Sequence, residues 1–189
     1  AIDKGHKISF KYQKPDVDKK MHFREKDGKP IEYILNPYQI LANHGRYYLI
    51  GNIDKYDNIS TWRIDRMKDV EKVESQRKPL GKVSGFETAR SFDAAQYMKE
   101  HIYMFGGKSV DVVFEADRTI IDQILDWFDG NVTFYKVTDK TVQAKVHVNY
   151  TAIKFWALQY LPFVKVLAPT ELVEEIRETV LEGAEKYKD

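Results

Sequence analysis

The sequence predicts a mixed chain of two domains: a small all-β barrel first, then an α+β domain, with a helical connector between them. Three observations carry this. Up to about residue 79, apolar and polar residues alternate with the period of half-buried strands. Residues 74–91 then change character, with Ser, Gln and Lys joined by Pro79, Gly81 and Gly85, the composition of a linker. From about residue 108, strand-period and helix-period segments take turns. The length of 189 residues accommodates two small domains.

In the first part, Ile8 to Tyr12 alternates as a strand. Asp27-Gly28 is a hairpin-turn signal, with strand residues Met21, Phe23 and Arg24 before it. Residues 31–42 carry the next strand. Pro37 interrupts it and has no N–H for a ladder, which places the strand at an edge or makes it bulge there. Asn43-His44-Gly45 turns the chain into Arg46 to Gly51, rich in β-forming residues. Asp57-Asn58 turns it again, and Thr61 to Met67 alternates cleanly. Five or so short, closely spaced strands read as a small barrel, because an open sheet of that size leaves its edges unprotected.

Residues 92–104 read as a short helix with Ala95, Met98 and Ile102 on one face, stopped by Gly106-Gly107. Val110, Val112 and Phe114 alternate as a strand. Asp117 is placed to cap a helix in which Ile120, Ile121, Ile124, Leu125 and Phe128 share a face, with Gly130 past its end. Val132–Val137 and Val142–Val148 are strands around Thr138-Asp139-Lys140. Asn149–Leu161 is helical, with Ile153, Trp156, Ala157 and Tyr160 together, and Phe163–Leu167 is a strand. Pro169 opens a last helix whose Leu172, Ile176, Val180 and Ala184 line one side. The order βαββαβ is the split βαβ, or ferredoxin-like, pattern. The expected domains are thus 1–79, 80–107 as linker and connector, and 108–189.

Composition narrows the chemistry. With no cysteine, disulfides, thiolate nucleophiles and cysteine metal sites are excluded. No apolar run approaches the ~20 residues of a membrane span, and a cytoplasmic location is expected. Residues 1–80 hold 17 Lys+Arg against 12 Asp+Glu, while residues 81–189 hold 13 against 17. An anionic partner is therefore expected at the first half, the alternative being scattered loop lysines. The opening Ala-Ile-Asp-Lys-Gly is neither a signal peptide nor a methionine start, and reads as a cut at a domain boundary.

Several strings carry a family resemblance. Arg46-Tyr47-Tyr48-Leu49-Ile50-Gly51 resembles the Trp-Tyr-Leu strand of WYL domains, with Tyr47 in the tryptophan position. Thr61-Trp62-Arg63-Ile64-Asp65-Arg66-Met67 is similar to that family's Phe-Arg-Leu-Asp-Arg-Ile strand, and Leu35-Asn36-Pro37-Tyr38 to its Leu-x-Pro segment. Ser91-Phe92-Asp93 to Gly107 is similar to the helix that follows these domains. Val166-Leu167-Ala168-Pro169-Thr170-Glu171-Leu172 is similar to the Val-Leu-x-Pro-x-x-Leu of their C-terminal extension. The resemblance implies an Sm-like or SH3-like small barrel in the effector-sensing region of a bacterial transcriptional regulator. It also implies a winged helix-turn-helix before Ala1 that contacts duplex DNA, and a nucleotide or single-stranded nucleic acid as effector.

The residues themselves offer a site for such a ligand. Arg46 and Tyr48 share a strand face, and if the two motif strands are neighbours, Arg63 and Arg66 converge with them. Guanidinium forks fit phosphate oxygens. Tyrosine supplies a stacking face and a hydroxyl. Asp65 is expected to orient one arginine, and His44, in the preceding turn, is a further candidate contact. The alternative is that Tyr47 and Tyr48 are ordinary sheet aromatics and Asp65 ties an arginine structurally. His6, His22, His101 and His147 read as lone surface or turn histidines, without a second ligand at metal spacing. No nucleophile elbow or phosphate loop is present, so neither a catalytic constellation nor a cofactor is expected. A homodimer is expected from the two-fold symmetry of operator readers. The competing functions are a stand-alone RNA- or single-stranded-DNA-binding accessory protein and a nucleotide-processing enzyme.

Overall fold

The computed structural model describes residues 1–128 and 130–188. The chain divides into two compact units, residues 1–94 and 95–189, and is mixed α/β. Among the described residues no sheet runs through both units: a six-stranded and a two-stranded sheet lie in the first, and a four-stranded sheet in the second.

The first unit holds β1 (His6–Pro15), β2 (Met21–Phe23), β3 (Glu25–Lys26), β4 (Lys29–Pro30), β5 (Glu32–Asn43), β6 (Arg46–Asn52), β7 (Ser60–Arg63) and β8 (Met67–Gln76). Strands β3 and β4 form a small hairpin on Asp27 and Gly28, both at positive φ. The main sheet runs β2-β1-β5-β6-β7, with β8 also paired to β1. Pro37 sits in an interior strand, not at an edge. The ladder between β5 and β6 shifts register between Pro37 and Gln39, so a bulge absorbs the missing donor. Trp62 centres the core, with Tyr33, Phe10 and Tyr12 rings at 4.8, 5.0 and 5.0 Å. Ile8, Leu35, Leu49 and Met67 complete it.

The expected closed barrel is not found. Among the described residues no ladder joins β7 to β8, which would close it. The physical reason is local. The expected strand 61–67 breaks after Arg63 into a 3-10 turn, Ile64–Arg66, and Met67 emerges to pair with Tyr12 of β1. Strand β8 itself was not apparent in the pattern, because Lys68 to Gln76 is almost entirely exposed and shows no alternation.

Within the stretch 74–91, expected as a linker, residues 77–83 are tied onto the sheet. The Asn36 side chain is buried. Its amide donates to the Asn52 carbonyl at 3.0 Å and to Asp54 Oδ1 at 2.7 Å, and its oxygen accepts the Lys78 amide at 2.7 Å. The Tyr38 hydroxyl donates to the Lys78 carbonyl at 2.9 Å. Val83 is completely buried.

The second unit contains α1 (Ala94–Glu100, starting at the unit boundary), β9 (Ser109–Asp117), α2 (Ile121–Phe128), β10 (Val132–Tyr135), β11 (Thr141–Asn149), α3 (Tyr150–Gln159), β12 (Val164–Ala168) and α4 (Thr170–Glu185). The sheet order is β10-β11-β9-β12, with every neighbouring pair antiparallel. Asp117 accepts the Thr119 amide at 2.8 Å, and Asn149 accepts the Ala152 amide at 3.0 Å, each capping the helical segment that follows. Val112, Phe114, Ile124, Phe128, Ile153, Trp156, Leu172 and Ile176 lie in one core.

Three sequence expectations are corrected here. Helix α1 stops at Glu100, and it buries Tyr97 while Ala95 is exposed. Ala184 is exposed at the end of α4, where the helix has run past the core. His101 is neither a surface nor a turn histidine. It is 4% exposed, its ring stacks on Tyr97 at 3.8 Å, and its Nδ1 lies 2.6 Å from the Phe105 carbonyl.

Two outcomes follow. A Cβ on Gly51 would stand 2.6 Å from Leu35 Cδ2 and 2.7 Å from the Asn36 carbonyl oxygen, so Gly51→Ala is expected to cost about 1–3 kcal/mol in a urea melt. Burial holds the His101 pKa below its ordinary value, against weaker upward pulls from the Phe105 carbonyl and Glu100. The unfolded chain therefore binds this proton more readily. The resulting stability is full above the unfolded pKa of about 6.5 and is lost as pH falls from there toward the lower folded value. The urea midpoint should drop between pH 7.5 and 5, and His101→Phe should flatten that dependence.

Candidate nucleic-acid interface

The site assembles where β6, β7 and the 3-10 turn meet. The hairpin from β5 to β6 turns on His44 and Gly45, with φ of 47° and 70°, the mirror-image turn that matches strand twist. Asn43 faces Arg46 across it. Two residues on, Tyr48 pairs directly with Arg63 of β7. Residues directly opposite share a sheet face, so their side chains are neighbours.

Arg63 is fixed at both ends. Its backbone N–H donates to the Tyr12 hydroxyl at 3.1 Å. Its guanidinium grips Asp65 through both carboxylate oxygens, Nε at 3.1 Å and Nη2 at 2.6 Å. The Asp65 hydrogen bond and charge raise the Arg63 pKa, against partial desolvation, with weaker upward pulls from Tyr48 and Tyr12. In return the Arg63 hydrogen bond holds the Asp65 carboxyl below its usual range, aided by the charges of Arg63 and Arg66. Arg66 is half-buried, while Asp65 is exposed.

The structure thus brings together Tyr48, Arg63, Asp65 and Arg66. Arg46 and His44 lie at the exposed hairpin tip, Arg46 on the Tyr48 face by strand alternation. Tyr47 is on the other face and 64% exposed. Arg46, Tyr48, Arg63 and Arg66 do not line the hollow of about 650 Å³ in this unit, which is bordered mainly by Ile8, Ile40, Leu49, Ile64, Met67 and Val70 and is apolar.

Sequence reasoning missed two paired histidines. His22 Nε2 lies 2.8 Å from Asp18, and His147 Nδ1 lies 2.7 Å from Asp111. The first was visible as an i, i+4 spacing between the turn at Asp18 and strand β2. The second depends on the register of β9 against β11, which sequence spacing does not reveal. Among the described residues no group of three or more metal-ligating side chains is found, and no helix is long and apolar enough to cross a membrane.

Comparison with known proteins agrees with the resemblance. The WYL domain family model matches residues 1–72. No curated protein matches the chain. Among solved structures, a CRISPR Cas-related protein is similar over 96% of this chain, with 17% identity and a TM-score of 0.53. Proteasome accessory factor B/C of Arthrobacter aurescens aligns over the whole chain at 18% identity and a TM-score of 0.41. The chain spans 48% and 26% of those two proteins, less than half the length of either.

The geometry predicts that Tyr12→Phe, which removes the hydroxyl accepting the Arg63 amide, costs about 0.5–1.5 kcal/mol. Asp65→Ala, which breaks an exposed pair, should cost under about 1 kcal/mol. Denaturant melts of the two variants give that order of effect; the reverse order would show that the Asp65 chelate, not the Tyr12 anchor, holds the turn.

Proposed function

We propose, from a chain whose residues 1–72 match the WYL domain, that it is the effector-sensing region of a bacterial DNA-binding transcriptional regulator. Its effector in this reading is a nucleotide or a short single-stranded nucleic acid. The observation that supports the ligand class most directly is the grouping of Tyr48, Arg63, Asp65 and Arg66 at one strand end. Asp65 occupies two of the five N–H donors of Arg63 and fixes its plane. Arg66 then offers its fork to a phosphate, with the outer edge of Arg63 beside it. Arg46 and His44 lie farther along the strand and hairpin, where a second phosphate of a strand would pass. Tyr48 supplies a hydroxyl or ring to sugar or base.

The remaining features of the reading follow the family resemblance. Duplex DNA is contacted by a helix-turn-helix domain preceding Ala1, the protein works as a cytoplasmic homodimer, and it performs no catalysis. Residues 1–79 form the sensing domain and 108–189 the extension, whose strand order we read as ferredoxin-like. The stand-alone accessory-protein reading is separated from this one by whether a DNA-binding domain precedes Ala1.

Fluorescence anisotropy with labelled single-stranded oligonucleotides, and competition by mononucleotides, tests the site at low salt. Arg66→Ala and Arg63→Ala should each weaken binding by about tenfold to a hundredfold. Affinity should fall as salt rises, because phosphate neutralisation releases counterions. If wild type binds none of these ligands, or if Arg63→Ala lowers the melting temperature and leaves affinity unchanged, the arginines serve only to tie the turn.

A further inference from the structure

The strap of residues 77–92 encloses a second hollow, of about 430 Å³, lined by Tyr38, Gln39, Arg77, Leu80, Arg90 and Ser91, with Pro79 and Phe92 at its border. None of the residues of the nucleic-acid site contributes to it. Its charge is one-sided. Between positions 77 and 92 the sequence places Arg77, Lys78, Lys82 and Arg90 against a single carboxylate, Glu87. That carboxylate is engaged locally, accepting the Gly85 amide at 3.0 Å.

Arg77 is pre-organised. One terminal nitrogen donates to the Pro37 carbonyl at 2.7 Å, and the guanidinium lies over the Tyr38 ring at 5.4 Å. This tether spends one donor and leaves the others of a fork whose plane is already set. Among the described residues neither Arg77 nor Arg90 has a carboxylate partner. Two arginines sharing a hollow repel each other until an anion sits between them. A structural role for the pair would normally supply a carboxylate, as Asp65 does for Arg63. The Pro37 carbonyl that holds Arg77 lies beside the register shift in the β5–β6 ladder.

We propose that this hollow is a binding site for a small phosphorylated molecule, its phosphate held between Arg77 and Arg90 with the Ser91 hydroxyl and the Gln39 amide at hand. The volume suits a compact phosphate ester, not a polymer strand. The site stands apart from the Arg63–Arg66 grouping and does not depend on what that grouping binds.

Isothermal titration with inorganic pyrophosphate at low salt tests it on four proteins: wild type, Arg90→Ala, Arg77→Lys and Arg66→Ala. Arg90 is exposed, so its replacement should leave the melting temperature unchanged. Wild type should bind. Arg90→Ala should weaken binding about tenfold or more. Arg77→Lys, which keeps the charge but loses the fork, should weaken it as well. Arg66→Ala should bind as wild type does. Absence of binding by wild type, or undiminished binding by Arg90→Ala, overturns the proposal. Binding lost in Arg66→Ala and retained in Arg90→Ala also overturns it, while supporting the oligonucleotide site. Conversely, Arg90-dependent pyrophosphate binding without any oligonucleotide binding leaves this site standing and removes the other.

Discussion

The hydrogen bond from the Arg63 amide to the Tyr12 hydroxyl decides the shape of the first unit. A strand continuing through 61–67 would have used that amide, or the next, in a ladder. A phenol from β1 takes it instead, the chain turns through Ile64–Arg66, and Met67 starts back along β1. Three consequences share this one cause. The sheet stays open between β7 and β8. Asp65 is brought round to chelate Arg63 two residues away. Arg66 leaves the Trp62 face that simple alternation would have assigned it, and its charge falls near Asp65. Tyr12 can do this because its ring is fixed against Trp62 and 5% exposed, so the hydroxyl is delivered to the turn by the core itself.

What the sequence made legible is what is encoded within a few residues. Asp27-Gly28 and His44-Gly45 form the turns their φ requirements demand. Asp117 and Asn149 cap helices because the acceptor and the amide it satisfies are two or three residues apart. The helix faces around Ile124 and Trp156 follow a 3.6-residue period, except that Leu125, assigned to the first of them, is exposed. Where a second, distant segment sets the outcome, the pattern misled. Strand β8 is held by β1 through its backbone and carries almost no buried side chain, so it has no periodicity to read. Ala95 and Tyr97 both fit a helical stripe, and packing chose the larger ring, with His101 stacked on it. At the candidate site, Tyr48 and Arg63 were expected to converge only on the condition that the two motif strands are neighbours, and they are. An arginine on Asp65 was expected too; that it is Arg63, in a bidentate grip, depends on the turn.

Composition also hid the role of residues 77–92. Pro, Gly, Ser and Lys read as a linker, and a linker has no reason to be placed. Asn36 provides the reason. Its buried amide and carbonyl need three partners, and it finds them in the Asn52 carbonyl, Asp54 and the Lys78 amide. Asp54 in turn is held below its usual pKa by Lys7 first and Asn36 second. One polar residue thus joins β1, β5, the loop after β6 and the strap. Losing it would leave the buried Asn52 carbonyl and the half-buried Lys78 amide without this partner at once, which is costlier than losing a single exposed ion pair.

Net charge alone places anion attraction in the first half of the chain, but the side chains separate solvated charge from usable charge. Lys7, Lys11 and Lys72 are already paired with Asp54, Asp69 and Glu74. Lys14, Lys19, Lys20, Lys26 and Lys29 are exposed, and none forms an ion pair among the described residues. Arg63 and Arg77 are different: each is held at a defined angle, one by a carboxylate and one by a carbonyl. Holding an arginine in place removes the entropic cost of ordering it at the moment of binding. An exposed carboxylate partner such as Asp65, 60% exposed, is weakly bound, at under about 1 kcal/mol. A doubly charged phosphate can therefore share or displace it at little cost. On the reading proposed above, it is the pre-set guanidinium planes, more than the surplus of lysines, that suit the first unit to an anion.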